Sequence, residues 1–519
     1  MTLKIHAETL KSWLSDKDEI AFIDVREIGQ HTKGHPFFSI SIPYSLFELN
    51  LEILIPNKKT KMILLDQNDG ISILAYKAAT LIGYSNIFIL EEGVNGWINS
   101  GYKLFDGINV PSKSFGELIE KHFHTPSITA KELNEKQKNN ENCIVIDGRP
   151  FDEYQNMSIP NSICCPNGEL AYSVSSHVKD INTEIIINCA GRTRSIIGAQ
   201  TLIDLGISNK VKALENGTQG WFLSDLCLDH NKNDFLDVRP DDTELKKIQN
   251  KIFKLLIKHS INLIDFSKAQ ELILDKNKST FIFNVTNSNK NMNSIRHVPG
   301  GQLVQATDKY IGVWKATVIL VDDGDLIRAG TTAIWLKKMG YQVHVLKKEI
   351  ININTLKFKN KFLLKEKKLN IFEIEKFNNF KNTILYDIRS SENFMKIRIK
   401  NSIWLNRANL RKVKIKKQQQ IIIITDEFDK ARLVINDIEE MNLGCVISLY
   451  KWKENELINH SNIIDNKPIL FPKKDCIDFN FHTYKRHKGS KSHANQYLKW
   501  EIGLINKMDK QELSFFNIF

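Results

Sequence analysis

Cys143-Ile144-Val145-Ile146-Asp147-Gly148-Arg149 is a short apolar strand that ends in an acid and a base, and versions of it occur four times along the chain. Ala21-Phe22-Ile23-Asp24-Val25-Arg26-Glu27 is an earlier copy, and Thr383-Ile384-Leu385-Tyr386-Asp387-Ile388-Arg389 a later one. Thr280-Phe281-Ile282-Phe283-Asn284-Val285-Thr286 is a copy that has lost both charges. Self-similarity of this kind marks a structural unit used more than once. A second apolar strand follows each copy: Met62 to Leu65, Glu184 to Asn188, Thr317 to Val321, and Ile421 to Thr425. The interval is nearly constant, since 42 positions separate Asp24 from Asp66 and Asp147 from Cys189, 38 separate Asn284 from Asp322, and 39 separate Asp387 from Asp426.

Each second strand runs into a short polar loop and then a helical pattern, such as Ile73 to Ile82 ahead of Gly83, and another strand comes after, as at Asn86 to Leu90 or Val211 to Leu214. Short apolar strands alternating with helices predict an α/β fold of parallel sheets, each with helices on both faces. In the first two units the last strand leads into Glu92-Gly93-Val94-Asn95-Gly96-Trp97 and Asn216-Gly217-Thr218-Gln219-Gly220-Trp221. There the glycines permit tight turns and the tryptophan anchors the next helix in the core. The units are placed at residues 1–110, 124–228, 258–350 and 370–465, and a helical tail at 475–519 lies outside the repeats. The boundaries fall near 110 to 126, where Pro111 and Pro126 punctuate the chain, near 228 to 258, and near 350 to 370. Within the second boundary, Thr243 to Ile257 is amphipathic and reads as a helix.

A chain of 519 residues is too long for one hydrophobic core, which agrees with several units. Its 42% hydrophobic and 25% charged residues match a soluble globular protein. Met1 to His6 mixes charges into the first turns, so no export signal is expected, and apolar runs such as Val318 to Val321 are far too short for a bilayer. A cytoplasmic protein with no membrane partner is expected. The net charge of +12 is spread beside Asn and Ile, as at Asn287 to Asn293 and Lys357 to Lys368, and no basic helix is interleaved with aromatics, which argues against nucleic acid. The cysteines are Cys143, Cys164, Cys165, Cys189, Cys227, Cys445 and Cys476, an odd set without a C-x-x-C pair. Neither a disulfide framework nor a metal site is expected.

The chemistry is concentrated in Asn188-Cys189-Ala190-Gly191-Arg192-Thr193-Arg194-Ser195. A thiol placed after a strand and before a helix sits where backbone N–H groups converge at the positive end of the helix dipole, and both favour a thiolate. Arg192 and Arg194 add positive charge, and Gly191 lets the backbone curl around a bound anion. The plainer reading, a small buried cysteine in a basic loop, leaves that coincidence unexplained. Asp147, Arg149 and Glu153 read as a structural ion pair that fixes the loop, with Arg149 as a rim contact to substrate. Cys164 and Cys165 could approach Cys189 as resolving thiols, but neighbours on a strand point to opposite faces and read as packing.

At these residues the chain resembles the rhodanese family. The Asp-x-Arg strand end, the Cys-x4-Arg loop and the Gly-x-x-Gly-Trp turn appear in order in the second unit. The whole chain, including Pro111 to Leu118, His297 to Leu303 and the tail around Tyr497 to Glu501, is similar to bacterial sulfurtransferases with four tandem rhodanese domains. The resemblance implies that Cys189 accepts a sulfane sulfur from thiosulfate or a persulfide, and passes it to cyanide, a thiol or a sulfur-acceptor protein. It implies that Ala190, Gly191, Arg192, Thr193, Arg194 and Ser195 hold the donor anion or persulfide, and that no cofactor is needed. Related cysteine phosphatases use a Cys-x5-Arg loop, one residue longer than the one here, and a persulfide-sensing scaffold is a third reading. The loops of the other units open Asp66-Gln67-Asn68-Asp69-Gly70-Ile71, Asp322-Asp323-Gly324-Asp325-Leu326-Ile327 and Asp426-Glu427-Phe428-Asp429-Lys430-Ala431. Each has Asp in place of the cysteine and an apolar residue in place of Arg194, so these units are expected to be catalytically silent.

Overall fold

The computed structural model describes residues 3–287, 295–347, 383–453, 463–467, 469, 476–479 and 490–518. The first sheet holds β1 (Leu3–Ile5), β2 (Ile20–Asp24), β3 (Ile40–Ser41), β4 (Lys61–Leu65) and β5 (Ile87–Leu90) in the order β1-β5-β4-β2-β3. The second holds β6 (Ser127–Ile128), β7 (Cys143–Asp147), β8 (Ser162–Cys164), β9 (Glu184–Asn188) and β10 (Val211–Leu214) in the order β6-β10-β9-β7-β8. The third, β11 (Asn262–Ile264), β12 (Thr280–Asn284), β13 (Arg296–His297), β14 (Thr317–Val321) and β15 (Gln342–Leu346), has the same topology, β11-β15-β14-β12-β13. The last region contributes β16 (Thr383–Asp387), β17 (Arg398–Ile399), β18 (Ile403–Trp404), β19 (Gln420–Thr425), β20 (Val446–Lys451) and β21 (Ile464–Asp465). Four of these form a parallel sheet, β18-β16-β19-β20, while β17 and β21 pair antiparallel.

The register explains the constant interval in the sequence. Asp147 lies beside Asn188, Asp24 beside Leu65, Asn284 beside Val321 and Asp387 beside Ile424. The first strand of every repeat thus delivers its terminal polar side chain to the foot of the loop after the neighbouring strand. In β19, Ile421 and Ile423 pack into one apolar cluster and Ile422 and Ile424 into another, as a strand covered on both faces requires. Trp97 and Trp221 are buried, and their indoles donate to the carbonyls of Lys103 and Cys227 at 3.0 and 2.8 Å.

Two segments join these sheets around the second one. The boundary expected at Pro111 is itself a helix, Val110–Phe123, because proline is tolerated in a first helical turn where its missing N–H would have no partner. That helix lies between the helix Thr193–Asp204 and the C-terminal helix Lys491–Lys507. The expected linker helix also forms, spanning Asp242–Lys258 with the Asp241 side chain accepting from the N–H groups of Thr243 and Glu244. The boundary expected near 350 to 370 lies outside the described residues. Among the described residues no helix is long and apolar enough to cross a membrane.

Candidate active site

β9 carries Glu184-Ile185-Ile186-Ile187-Asn188, buried along its length, and delivers Cys189 to the start of a loop whose helix begins at Thr193. Side-chain and backbone bonds fasten that strand end. Asn188 Nδ2 donates to Asp147 Oδ2 at 2.6 Å, and Gly148 N–H donates to the Asn188 carbonyl at 2.9 Å. Asp147 also takes the Arg149 guanidinium through Nε at 2.9 Å and Nη2 at 2.7 Å. From below, Thr218 N–H donates to the Cys189 carbonyl at 2.8 Å and Gln219 N–H to the Ala190 carbonyl at 3.2 Å. This approach requires Gly217, whose φ is +53° and where an added Cβ would lie 2.2 Å from the Cys189 carbonyl oxygen.

Every residue from Cys189 to Ser195 for which a side chain was expected to act is buried. Cys189 itself is 1% exposed, and the C-terminal helix packs on the loop at Gly191 and Thr193. A Cβ at Gly191 would stand 3.0 Å from Glu501 Oε2 and 3.3 Å from Tyr497 Cε1, so the C-terminal helix packs closely on the loop there and a larger residue would have to displace those side chains by a few tenths of an ångström. Glu501 Oε1 accepts from Thr193 Oγ1 at 2.8 Å and pairs with Lys113 Nζ at 2.9 Å. Ser195 Oγ turns back to the Arg192 carbonyl at 2.8 Å.

The two arginines, expected to supply positive charge for an incoming anion, are both engaged by carboxylates. Arg192 donates through Nε and Nη2 to Glu117 at 2.7 and 3.0 Å, and also bonds Glu120. Arg194 makes a two-pronged bond to Glu153 at 2.9 and 2.8 Å. Glu153 therefore pairs directly with Arg194, and its charge also supports Arg149 of the Asp147–Arg149 pair with which its spacing grouped it. The positive charge of the loop is largely compensated within the protein, and the loop amides and helix dipole remain as the open anion-stabilising elements.

Burial, opposed only in part by Arg192 and reinforced by Glu501 and Glu120, lifts Glu117 to about 7 from 4.5. A folded state that holds this proton more tightly than the unfolded chain loses stability as pH rises between those two values. The full effect is roughly 3 kcal/mol. Denaturant midpoints measured at pH 5 and pH 8 are expected to fall more for the wild type than for Glu117→Gln; equal falls would refute the assignment.

Arg149 is 2% exposed, yet with Ala190 it lines a cleft of about 530 Å³ beside the loop. Cys164 and Cys165 are buried, and burial pushes the Cys164 thiol up to about 12 and the Cys165 thiol well above its ordinary value. Sequence reading did not single out Lys113, Glu117, Glu120 or Glu501. Their partners are 72 to 388 positions away, too far for any periodicity to reveal.

The loops of the first and third sheets solve the same problem differently. Asp66 Oδ1 accepts from Asn68 N–H and Oδ2 from Ser72 N–H, both at 2.9 Å. Asp322 accepts from the N–H groups of Gly324, Leu326 and Ala329 at 2.8, 3.2 and 3.1 Å. The amides that would greet an anion are occupied by the chain's own carboxylate. In the second sheet, among the described residues, no acceptor is found for the amides of residues 190 to 195.

Residues 6–100 and 129–224, the segments that carry Asp66 and Cys189, each match the model of the rhodanese-like domain. These matches, with the parallel sheets, support the rhodanese family. A crystal structure of thiosulfate sulfurtransferase from Pseudomonas aeruginosa is 28% identical over 100% of this chain and 99% of its own, with a TM-score of 0.89. A rhodanese-related protein from Thermoplasma volcanium is 28% identical over 20% of this chain and 97% of its own, with a TM-score of 0.18. No curated protein matches the chain.

Proposed function

We propose that the chain is a sulfurtransferase of four rhodanese-like domains, at 1–110, 124–228, 258–350 and 370–465, followed by a tail at 475–519, with Cys189 as its sulfur carrier. The Cys189 thiolate attacks the outer sulfur of thiosulfate, sulfite leaves, and a persulfide forms; a persulfide donor would leave as its thiolate. An acceptor, cyanide or a thiol, then attacks the outer sulfur and Cys189 departs as thiolate. The observation that carries this reading is the set of uncommitted amides at residues 190 to 195 beside Cys189, set against the occupied amides of the Asp66 and Asp322 loops. Those amides hold the persulfide anion. Arg192 clamps the loop through Glu117, while Arg194 and Arg149 border the path of the donor.

Intact mass after exposure to thiosulfate should show one added sulfur atom per chain, absent when Cys189 is serine. Arg194→Ala is expected to lower kcat/KM for thiosulfate about 10- to 100-fold, chiefly through donor binding, because it leaves the Glu153 carboxylate without its Arg194 partner beside the path of the donor anion. Unchanged kinetics with robust hydrolysis of an aryl phosphate would move the assignment to the phosphatases, despite a loop one residue short for a phosphoryl group.

Restoring a thiol alone should not awaken a silent loop. In a Cys189→Ser background, Asp66→Cys or Asp322→Cys is expected to form persulfide at least about a hundredfold more slowly than Cys189 does, because Asp69 or Asp325 remains and Ile71 or Ile327 stands where the active loop has Arg194. Rapid persulfide formation at either position would show that the fold without the charged loop confers reactivity.

A further inference from the structure

The C-terminal helix Lys491–Lys507 belongs to none of the repeats, yet one of its side chains reaches the active loop across 308 positions of sequence. The helix is anchored on the stretch after the first sheet, where Trp500 Nε1 donates to the Asp106 carbonyl and Lys507 Nζ pairs with the Asp106 carboxylate, both at 2.9 Å. Tyr497, Glu501 and Leu504 follow one another at helical spacing and so share a side, and Glu501 and Leu504 are 0% exposed. Packing alone would be served by an apolar residue at 501. A carboxylate buried there is costly and demands a cation, which Lys113 Nζ supplies at 2.9 Å. What the carboxylate adds is a strong, directed acceptor, and Thr193 Oγ1 donates to it at 2.8 Å. Thr193 opens the helix Thr193–Asp204 and lies within the run of amides at residues 190 to 195. Gly116 closes on the same residue, since an added Cβ there would lie 2.8 Å from Thr193 Cγ2 and 3.0 Å from its Cα. Two helices from outside residues 124–228 therefore grip the first turn of the active helix.

Resting on the reading of Cys189 as a sulfur carrier, we infer that Glu501 is a positioning residue of that site: through Thr193 it sets the direction in which the loop amides face the reacting sulfur. Glu501 takes no proton and forms no bond to sulfur. It acts by holding Thr193, and Lys113 holds Glu501 in turn. The tail thus completes the site of the second unit, and the helix that carries it is part of the sulfur-transfer machinery.

The test measures transfer from thiosulfate to cyanide in the full-length protein. Thr193→Val, which keeps the shape of the side chain and removes its hydroxyl, and Glu501→Ala are each expected to lower kcat about 10- to 100-fold, the cost of a misplaced loop. KM for thiosulfate should stay within about threefold of wild type, because alignment and not donor binding is lost. The double variant should be no slower than the slower single one, since both substitutions remove the same bond. Thr193→Ser restores the hydroxyl and should bring kcat back to within about threefold of wild type. Leu504→Ala separates alignment from loosening of the helix: it should lower the melting temperature at least as much as Thr193→Val and leave kcat intact. Wild-type kcat in folded Glu501→Ala or Thr193→Val protein would overturn the inference. So would a loss that falls in KM, losses that multiply in the double variant, no recovery in Thr193→Ser, or an equal loss in Leu504→Ala. Intact mass separates the levels: sulfur on Cys189 with unaffected variants removes only the role of Glu501, while no sulfur on wild-type Cys189 removes the carrier reading and the positioning role with it.

Discussion

Cys189→Ser is expected to bring thiosulfate-dependent sulfur transfer to cyanide down to background, a loss of at least about 10⁴-fold, while the protein stays folded. The hydroxyl keeps the size of the thiol but is not ionised near neutral pH and does not carry a sulfane sulfur. Cys164 and Cys165 are not placed to take over, because they are buried with their thiols held in the protonated form. Transfer assayed beside a thermal melt decides the matter. Retained turnover in a folded Cys189→Ser protein would show that the sulfur travels through another residue, and the assignment of the second unit as the active one would fail.

Gly217→Ala should be nearly as severe for activity. The residue sits at φ +53° and its Cβ would lie 2.2 Å from the Cys189 carbonyl oxygen, a backbone atom that can yield only by moving the nucleophile. The left-handed conformation costs an alanine about 1–2 kcal/mol. A displacement of the loop by a fraction of an ångström to 1 Å costs about a hundredfold in rate. Gly93 provides the control, for it has φ +57° and an added Cβ would lie 2.4 Å from the Asp66 carbonyl oxygen in the first unit. Gly93→Ala should therefore lose comparable stability and leave sulfur transfer intact. Equal loss of activity in both variants would mean that general destabilisation, and not the seating of Cys189, explains the Gly217 effect.

The same pair of glycines shows how far the repeat was legible. The turns after β5 and β10 were read as structural from their Gly-x-x-Gly-Trp pattern, and in both the glycine backbone closes on the loop of the preceding strand while the tryptophan is buried. Strand and helix identities were readable for the same reason: apolar runs and helical spacing are set by neighbours within a few positions, so they leave a pattern in the chain. Pro111 marked the stretch between the first two units but not its conformation, because one residue type ends a helix or begins one according to its place in the first turn, and only the backbone of Val110–Phe123 decides between them.

The sequence alone determined the repeated α/β unit, the place of Cys189 between a strand and a helix, and the replacement of that cysteine by aspartate in the other loops. All of these are local properties of residue type and spacing. Tertiary structure decided what surrounds the thiol. It brought Glu117 and Glu120 to Arg192, Glu153 to Arg194, and Glu501 to Thr193, across separations of 41 to 308 positions. It turned the Asp66 and Asp322 carboxylates onto their own loop amides, where charge alone had suggested only repulsion of an anion. Buried charge must find a partner wherever the packed chain offers one. The partner is chosen by the three-dimensional meeting of helices remote in sequence, and that meeting has no period to read.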